Sequence, residues 1–453
     1  MKRPQIHFTP PSHWTNDPNG LVYIQGKYHL FYQHYPEDIV WGPMHWGHAV
    51  SEDLLHWEHK EIALYPDELG YIFSGSCIYD EENVSGFGTK EQPPLIAFFT
   101  SHRPENGQEQ QSIAYSLDFE QFVKYEGNPV ISNREKKDFR DPKVFPNPIK
   151  GGFSMVLAAG ADIEFYHSDN LLQWKKTGVF TPGTRGYSGL CECPDCFFME
   201  TAEGTKWILS ISMGLSEEKA GKTVEEGGFG NVHVMQYYVG VFDGDTFVDT
   251  QQSEVPLLLD YGTDHYAAVT FANTKEKIML GWGENWDYVS ETPAQEYRGK
   301  MTLARKLSLV NTECGWRLAS ELIGGKHLEE VIWDKECEVS LNKSCFAMRR
   351  VLHPQEEIVF ENAAREVLTI QVVQDKIVVD RSLACSYDFS SKLSEERYHI
   401  LCAPRIKRGD CPIEVIYDEG YFEIFAEEGL ITFSVMTFAE GGYEKASLHK
   451  VLR

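Results

Sequence analysis

Three observations predict an all-β fold. Short runs of aromatic and β-branched residues, broken by turn residues, follow one another through the first ~300 positions. No long segment repeats its apolar residues at the 3.6-residue period of an amphipathic helix. In the last third, apolar and polar residues alternate over Val367–Val373, Ile413–Tyr417, Tyr421–Phe425 and Ile431–Val435, between Asp, Gly and Glu turns.

The elements follow in order. Leu21–His34 is two strand-like runs about a Gln25-Gly26 turn, hence a hairpin. A repeat then appears. Ala49–Trp57, Ala114–Phe122 and Tyr166–Trp174 each run from a strand through a Ser-x-Asp type of turn to an aromatic that packs back. Acidic or polar stretches also fall once per unit, near Asp17, Ser74, Asp141, Glu192 and Asp264. Five such units predict a five-bladed β-propeller over 1–315, with innermost strands converging on a central funnel. Arg305–Leu309 ends a strand and 317–335 has some helical propensity, so 316–335 is expected to be a connector. The alternating strands of 336–453 predict a C-terminal β-sandwich. No low-complexity linker separates the two domains, so they are expected to pack firmly.

Composition narrows the function. The formal net charge of the 453 residues is -26, which argues against nucleic acid and anionic membrane partners and favours a small, neutral substrate. No stretch approaches the ~18 apolar residues of a membrane span. The N-terminus has a basic start but no apolar core, so it does not read as a signal peptide, and a cytoplasmic protein is expected. The 10 cysteines fit that setting as free thiols. Cys191, Cys193 and Cys196 lack a second CxxC or a His pair, so buried or site-lining thiols are expected and no metal. His45 and His48, flanking Trp46-Gly47, read as hydrogen-bonded strand histidines. Gly227–Gly230 reads as a surface loop. Aromatics are abundant (10 Trp, 22 Tyr, 26 Phe), enough for a β-rich core and for sugar platforms.

The chemistry lies in three acidic stretches, Trp14–Gly20, Phe139–Pro142 and Cys191–Asp195. Each sets a carboxylate beside a proline among residues that favour turns and strand ends, and in the first, densest stretch Asp17 is expected where a loop feeds a strand. Three carboxylates meeting in one pocket suit glycosidic bond cleavage, which needs one ionised and one protonated carboxyl group. Asp17, with Asn16 beside it, suits the nucleophile. Glu192 suits the acid/base, between the poorly solvating thiols of Cys191 and Cys193 and close in sequence to Asp195. Asp141 suits a third carboxylate that binds sugar hydroxyls, kept charged by Arg140.

With His45–Ala49, Phe73–Ser76, Asp260–Ala267, Gly281–Trp286 and Arg298–Leu303, these stretches closely resemble glycoside hydrolase family 32, the β-fructofuranosidases, over nearly the whole chain. Thr15 stands where Met is commoner. The resemblance implies the five-bladed propeller and sandwich, and a retaining double displacement. In that mechanism Asp17 attacks C2 of the fructosyl unit, and Glu192 protonates the leaving oxygen and then deprotonates water. Asp141 grips the fructose hydroxyls. The implied fructose pocket is Asn16, Gln33, Trp41, Phe73, Ser74, Arg140 and Trp282, with His265 where Phe is usual. No metal or organic cofactor is implied. The leading expectation is an intracellular enzyme acting on sucrose and short fructo-oligosaccharides. The alternatives are a sucrose-6-phosphate hydrolase, with Arg134, Lys136, Lys137 and Arg185 as a cationic subsite, an exo-acting levanase or inulinase, and a transferase. A non-catalytic sugar-binding propeller is disfavoured by the presence of all three carboxylates. The sandwich is expected to brace the propeller and a homodimer contact rather than to bind glycan. Linkage preference, β-2,1 or β-2,6, stays open.

Overall fold

The computed structural model describes residues 2–451 except 183–188, 216–230, 254, 295, 325–329, 332 and 334–336. Arg185 and Gly227–Gly230 therefore lie outside the described residues. The described chain is all-β, with seven sheets and no α-helix. No helix among these residues is long and apolar enough to cross a membrane.

Five sheets follow one another along the chain. They open with the strands His13–Ile24, Tyr71–Tyr79, Phe139–Pro146, Leu190–Thr201 and Tyr266–Thr270. Each opening strand packs against the next, and the fifth packs against the first. The expected hairpin is present: His13–Ile24 pairs antiparallel with Lys27–Tyr35. Its turn residues, Gln25 at φ 49° and Gly26 at φ 86°, have the paired positive values that match strand twist. The repeated turn is present too. After the third strand of the first three sheets, Asp53, Asp118 and Asn170 each accept the backbone N–H three residues on, from His56, Gln121 and Gln173, at 2.8–2.9 Å.

The acidic stretches are not loops feeding strands. They lie inside the opening strands, at β-bulges. Between Thr15 and Pro18, Ile72 and Gly75, Arg140 and Lys143, Glu192 and Asp195, and Tyr266 and Val269, the opening strand carries one residue more than its partner. A bulge interrupts the ladder and re-aims a side chain, which is why proline is tolerated there and why the local sequence resembles a turn. Asp141 (φ 65°), Cys193 (φ 41°) and Ala267 (φ 50°) carry the left-handed backbone of three of these bulges.

The ring of contacts is closed by pairing from a distance. His13 and Trp14 run parallel to Tyr297 and Arg298, and the His13 N–H donates to the Glu296 carbonyl at 2.7 Å. The expected connector also differs at its start. Gly315–Leu322 is a strand paired along its whole length with Arg305–Thr312. Its Leu, Ala and Glu residues favour a helix in isolation, but a neighbouring strand outweighs propensity.

The remaining two sheets have five and six strands. In the six-stranded one, Glu356–Glu361, Val367–Val372 and Lys376–Leu383 bury every second residue. Ile358, Phe360, Ile370 and Val379 thereby enter a core shared with Phe422, Ile424 and Phe433 of the other sheet. The junction with the first five sheets is ionic and buried. Arg305 bonds Asp260 at 2.9 Å and Glu423 at 2.6 Å, and His7 bonds Asp418 at 2.8 Å and Glu423 at 3.1 Å. Asp264 belongs to this junction and not to a central funnel. It accepts from Tyr288 Oη at 2.6 Å and the Met436 N–H at 2.9 Å, and Arg381 lies 3.4 Å away.

Candidate active site

The bulges bring the sequence-predicted acids together. Asp17, Asp141 and Glu192, from the first, third and fourth opening strands, line one cavity of about 330 Å³. Asn16, Gln33, Trp41, Phe73, Ser74 and Arg140 line it as well.

Asp17 is held by donors on both oxygens. Oδ1 accepts from Asn16 Nδ2 at 3.0 Å, and Oδ2 accepts from Ser74 Oγ at 2.5 Å and Cys193 Sγ at 3.5 Å. Asn16 is itself fixed by Trp14 Nε1, which donates to its Oδ1 at 2.7 Å. Burial raises the Asp17 pKa. Ser74, Asn16 and Cys193 oppose that rise, and the charge of Glu192 adds to it. Asp141 accepts the Cys193 N–H at 2.9 Å, while its own N–H donates to Thr100 Oγ1 at 3.0 Å. Its carboxyl is pushed up to about 7, first by burial and then by Asp17 and Glu192, against the opposing Arg140. Glu192 accepts from Arg140 Nη2 at 3.1 Å and from Tyr266 Oη at 2.7 Å. Arg140 is thus the hub of the site's charge. Its Nη1 also donates to Asp138 at 2.9 Å and to both oxygens of Glu109 at 3.1–3.2 Å.

The aromatic wall is built on the first two sheets. Phe73 lies edge-on to Trp41 at 6.1 Å, and the Trp46 indole N–H holds the Phe73 carbonyl at 3.0 Å. Gln33 is anchored by Asn19 Oδ1 at 2.8 Å and the Ile72 carbonyl at 3.0 Å. Trp282 is the one predicted pocket residue that the fold withholds. It is fully buried, 4.7 Å from Trp286 and 6.5 Å from Trp14, and Trp286 lines the cavity in its place. Trp282 lies in the strand Lys277–Trp282, whereas Trp286 lies beyond its end.

The cysteine cluster separates by side. Cys193 faces the carboxylates, 3.6 Å from Asp141 Oδ2, while Cys191 and Cys196 join the apolar core of the fourth sheet. Among the described residues no cluster of His, Cys, Asp and Glu forms a metal site. Asp195 points away from the cavity, with Thr270 Oγ1 at 2.7 Å and Lys143 Nζ at 3.3 Å. His265, at the departure from the usual Phe, is buried, and burial lowers its pKa to about 4. Among the cations considered for a phosphate subsite, Lys136 is engaged by both oxygens of Glu164 at 2.6–2.7 Å, and Arg134 and Lys137 are exposed.

His102, Glu109, Asp138, Trp286 and Tyr266 also serve the site, and sequence reasoning did not single them out. Tyr266 and Trp286 stand in stretches already picked out, Asp260–Ala267 and Gly281–Trp286. Asp138 is two residues from Arg140. His102 and Glu109 lie on the second and third strands of their sheet, without a motif.

The comparisons with known proteins concern the chain as a whole. The model of the glycosyl hydrolases family 32 N-terminal domain matches residues 7–318. A levanase of Bacillus subtilis (strain 168) is 46% identical over 315 residues, which are 68% of this chain and 45% of the levanase. An invertase of Schizosaccharomyces pombe is 39% identical over 326 residues, 68% of this chain and 53% of the invertase. The chain thus spans about half the length of the curated relatives it matches. The structure of a β-fructofuranosidase from Schwanniomyces occidentalis complexed with fructosyl-erythritol superposes with a TM-score of 0.85 at 26% identity, covering 99% of this chain and 94% of that one. The chain belongs to glycosyl hydrolase family 32.

Proposed function

We propose that this chain hydrolyses terminal β-D-fructofuranosyl bonds with retention, acting on sucrose and short fructo-oligosaccharides. The observation that carries the reading is the convergence of Asp17, Asp141 and Glu192 on one cavity. Asp17 is the nucleophile at C2, since its donors hold it in place and favour its anion against burial. Glu192 is the acid/base. It protonates the leaving oxygen, then takes a proton from the water that releases fructose, with Arg140 and Tyr266 fixing its two oxygens. Asp141 accepts hydroxyls of the fructosyl ring. The surplus of carboxylates over cations suits an oxocarbenium-like transition state, because fixed negative charge in a water-poor cavity stabilises developing positive charge.

We infer further that the five consecutive sheets are the blades of a propeller and the two later sheets a β-sandwich, divided after Leu322. The cyclic packing of the opening strands and the alternating burial after residue 355 support this. A reducing, cytoplasmic setting is part of the proposal, supported by ten cysteines without a disulfide.

The test is a substrate panel of sucrose, its 6-phosphate, kestose, inulin and levan, with the anomer released followed by NMR. Asp17→Asn and Glu192→Gln are each expected to lose roughly a thousandfold or more in kcat while staying folded. Near wild-type turnover in either variant would sink the role assigned to it, and an inverted product would sink the double displacement. Glu109, Asp138 and Glu192 around the cavity disfavour a phosphate, so sucrose is expected to exceed its phosphate in kcat/KM.

A further inference from the structure

His102 lines the cavity but belongs to no motif and takes part in none of the steps above. It lies in the strand Leu95–Arg103, opposite Tyr71 on one side and Glu109 on the other. Two residues before it on the same face is Thr100, which accepts the backbone N–H of Asp141. Two residues along a strand cover ~6.7 Å. Exposure rises over that step, from 0% at Thr100 to 18% for the His102 side chain, so the step leads outward. His102 therefore stands one strand repeat above Asp141, a distance comparable to one sugar unit.

Its ring is fixed in plane and in tautomer. It stacks on Phe73 with centroids 4.2 Å apart and planes 9° apart. Nδ1 lies 3.3 Å from Glu109 Oε1. Burial works against the Glu109 carboxylate, but His102, Arg140 and the Phe139 N–H hold its pKa below the ordinary value. An ionised carboxylate only accepts, so Nδ1 carries a proton toward Glu109 and Nε2 is the ring nitrogen left to bond a hydroxyl. Among the described residues nothing bonds Nε2. Glu109 also bonds Arg140, and Arg140 bonds Glu192, so one hydrogen-bonded chain links His102 to the proposed acid/base. On the fructoside-hydrolase reading the fructosyl ring sits between Asp17, Ser74 and Asp141, and the outward side, toward His102, is left to the departing part of the substrate.

We infer that His102 is a specificity-determining residue for the leaving group: its Nε2 hydrogen-bonds a hydroxyl of the sugar being released, so that sugar leaving groups are favoured over alkyl ones. The inference rests on the fructoside-hydrolase reading.

The test compares kcat/KM on sucrose, which releases glucose, with kcat/KM on methyl β-D-fructofuranoside, which releases methanol. The sucrose-to-methyl ratio is expected to fall roughly tenfold to a hundredfold in His102→Ala and in His102→Phe, because a hydroxyl left unpaired on desolvation costs that much. His102→Phe keeps the stack on Phe73 and so separates packing from hydrogen bonding. His102→Gln, whose amide oxygen reaches the Nε2 position, is expected to restore the ratio to within about threefold of wild type. An unchanged ratio in the Ala and Phe variants would overturn the inference, whether both activities fall together or neither does. A ratio rescued by Phe but not by Gln would overturn it as well, by showing that only the stack matters. Wild-type turnover of both fructosides tests the underlying reading by itself, and absence of turnover would remove both.

Discussion

Asp141 should weaken the fold that it serves. Its carboxyl is raised from the ordinary 3.8 to about 7 by burial and by the neighbouring Asp17 and Glu192. A carboxyl raised in the folded state contributes most to stability when protonated, below the unfolded value. That contribution is lost as pH rises through the folded value. At about 1.4 kcal/mol per pH unit, the folded protein forgoes on the order of 4 kcal/mol by pH 8. Asp141→Asn removes the titration and keeps the shape, and its amide oxygen can still accept the Cys193 N–H. The variant is expected to match wild type near pH 4 and to gain stability progressively up to pH 8. For a unit of about 300 residues, 4 kcal/mol corresponds to a Tm increase of roughly 6 °C. On the proposed function turnover should collapse in the same variant, since the carboxylate proposed to hold the fructosyl hydroxyls is gone. Differential scanning fluorimetry from pH 4.5 to 8.5, beside an activity assay, decides the matter. A Tm difference that is flat with pH, or a variant less stable than wild type at pH 8, would refute the reasoning.

Two further outcomes follow from the geometry. Ser74→Ala removes the 2.5 Å donor that opposes the raised Asp17 pKa, so the acidic limb of kcat/KM against pH should move upward by roughly half a pH unit or more; a limb that stays in place or moves down would contradict it. Arg305→Met leaves Asp260 and Glu423 buried without their shared cation, which should cost about 3–5 kcal/mol in denaturant unfolding while kcat at low temperature stays near wild type; a loss below ~1 kcal/mol would show that the junction does not depend on the ion pairs.

The acids were legible because their chemistry is local: a carboxylate, a proline and a turn former are read directly from Asp17-Pro18, Asp141-Pro142 and Glu192–Asp195. Their setting was not, because a bulge is a relation between two strands. The extra residue at Asp141 exists only relative to Phe153–Ala159 across the ladder. The same limit explains the other departures. Asp264 looked like a fifth polar stretch, yet Arg381, 117 positions later, claims it. Trp282 and Trp286 stand in one short run, and only packing decides which of them meets the cavity. His102 and Glu109 carry no pattern at all; they matter because register places them opposite each other beside Arg140. The turns were legible for the opposite reason, since Gln25-Gly26 and the repeated Asp or Asn acceptors act within three or four residues.

The parallel pairing of His13 and Trp14 with Tyr297 and Arg298 has a consequence in time. A ribosome delivers the last partner of His13–Ile24 some 280 residues after the strand itself, at roughly 5–20 residues per second. For many seconds the outer edge of the strand carrying Asp17 has no neighbour, and the first sheet waits open. Long-range closure of this kind makes folding slow and exposes an edge to other chains. The strand that carries Asp17 is thus completed long after it is synthesised, and a nascent chain stopped short of Arg298 lacks that pairing.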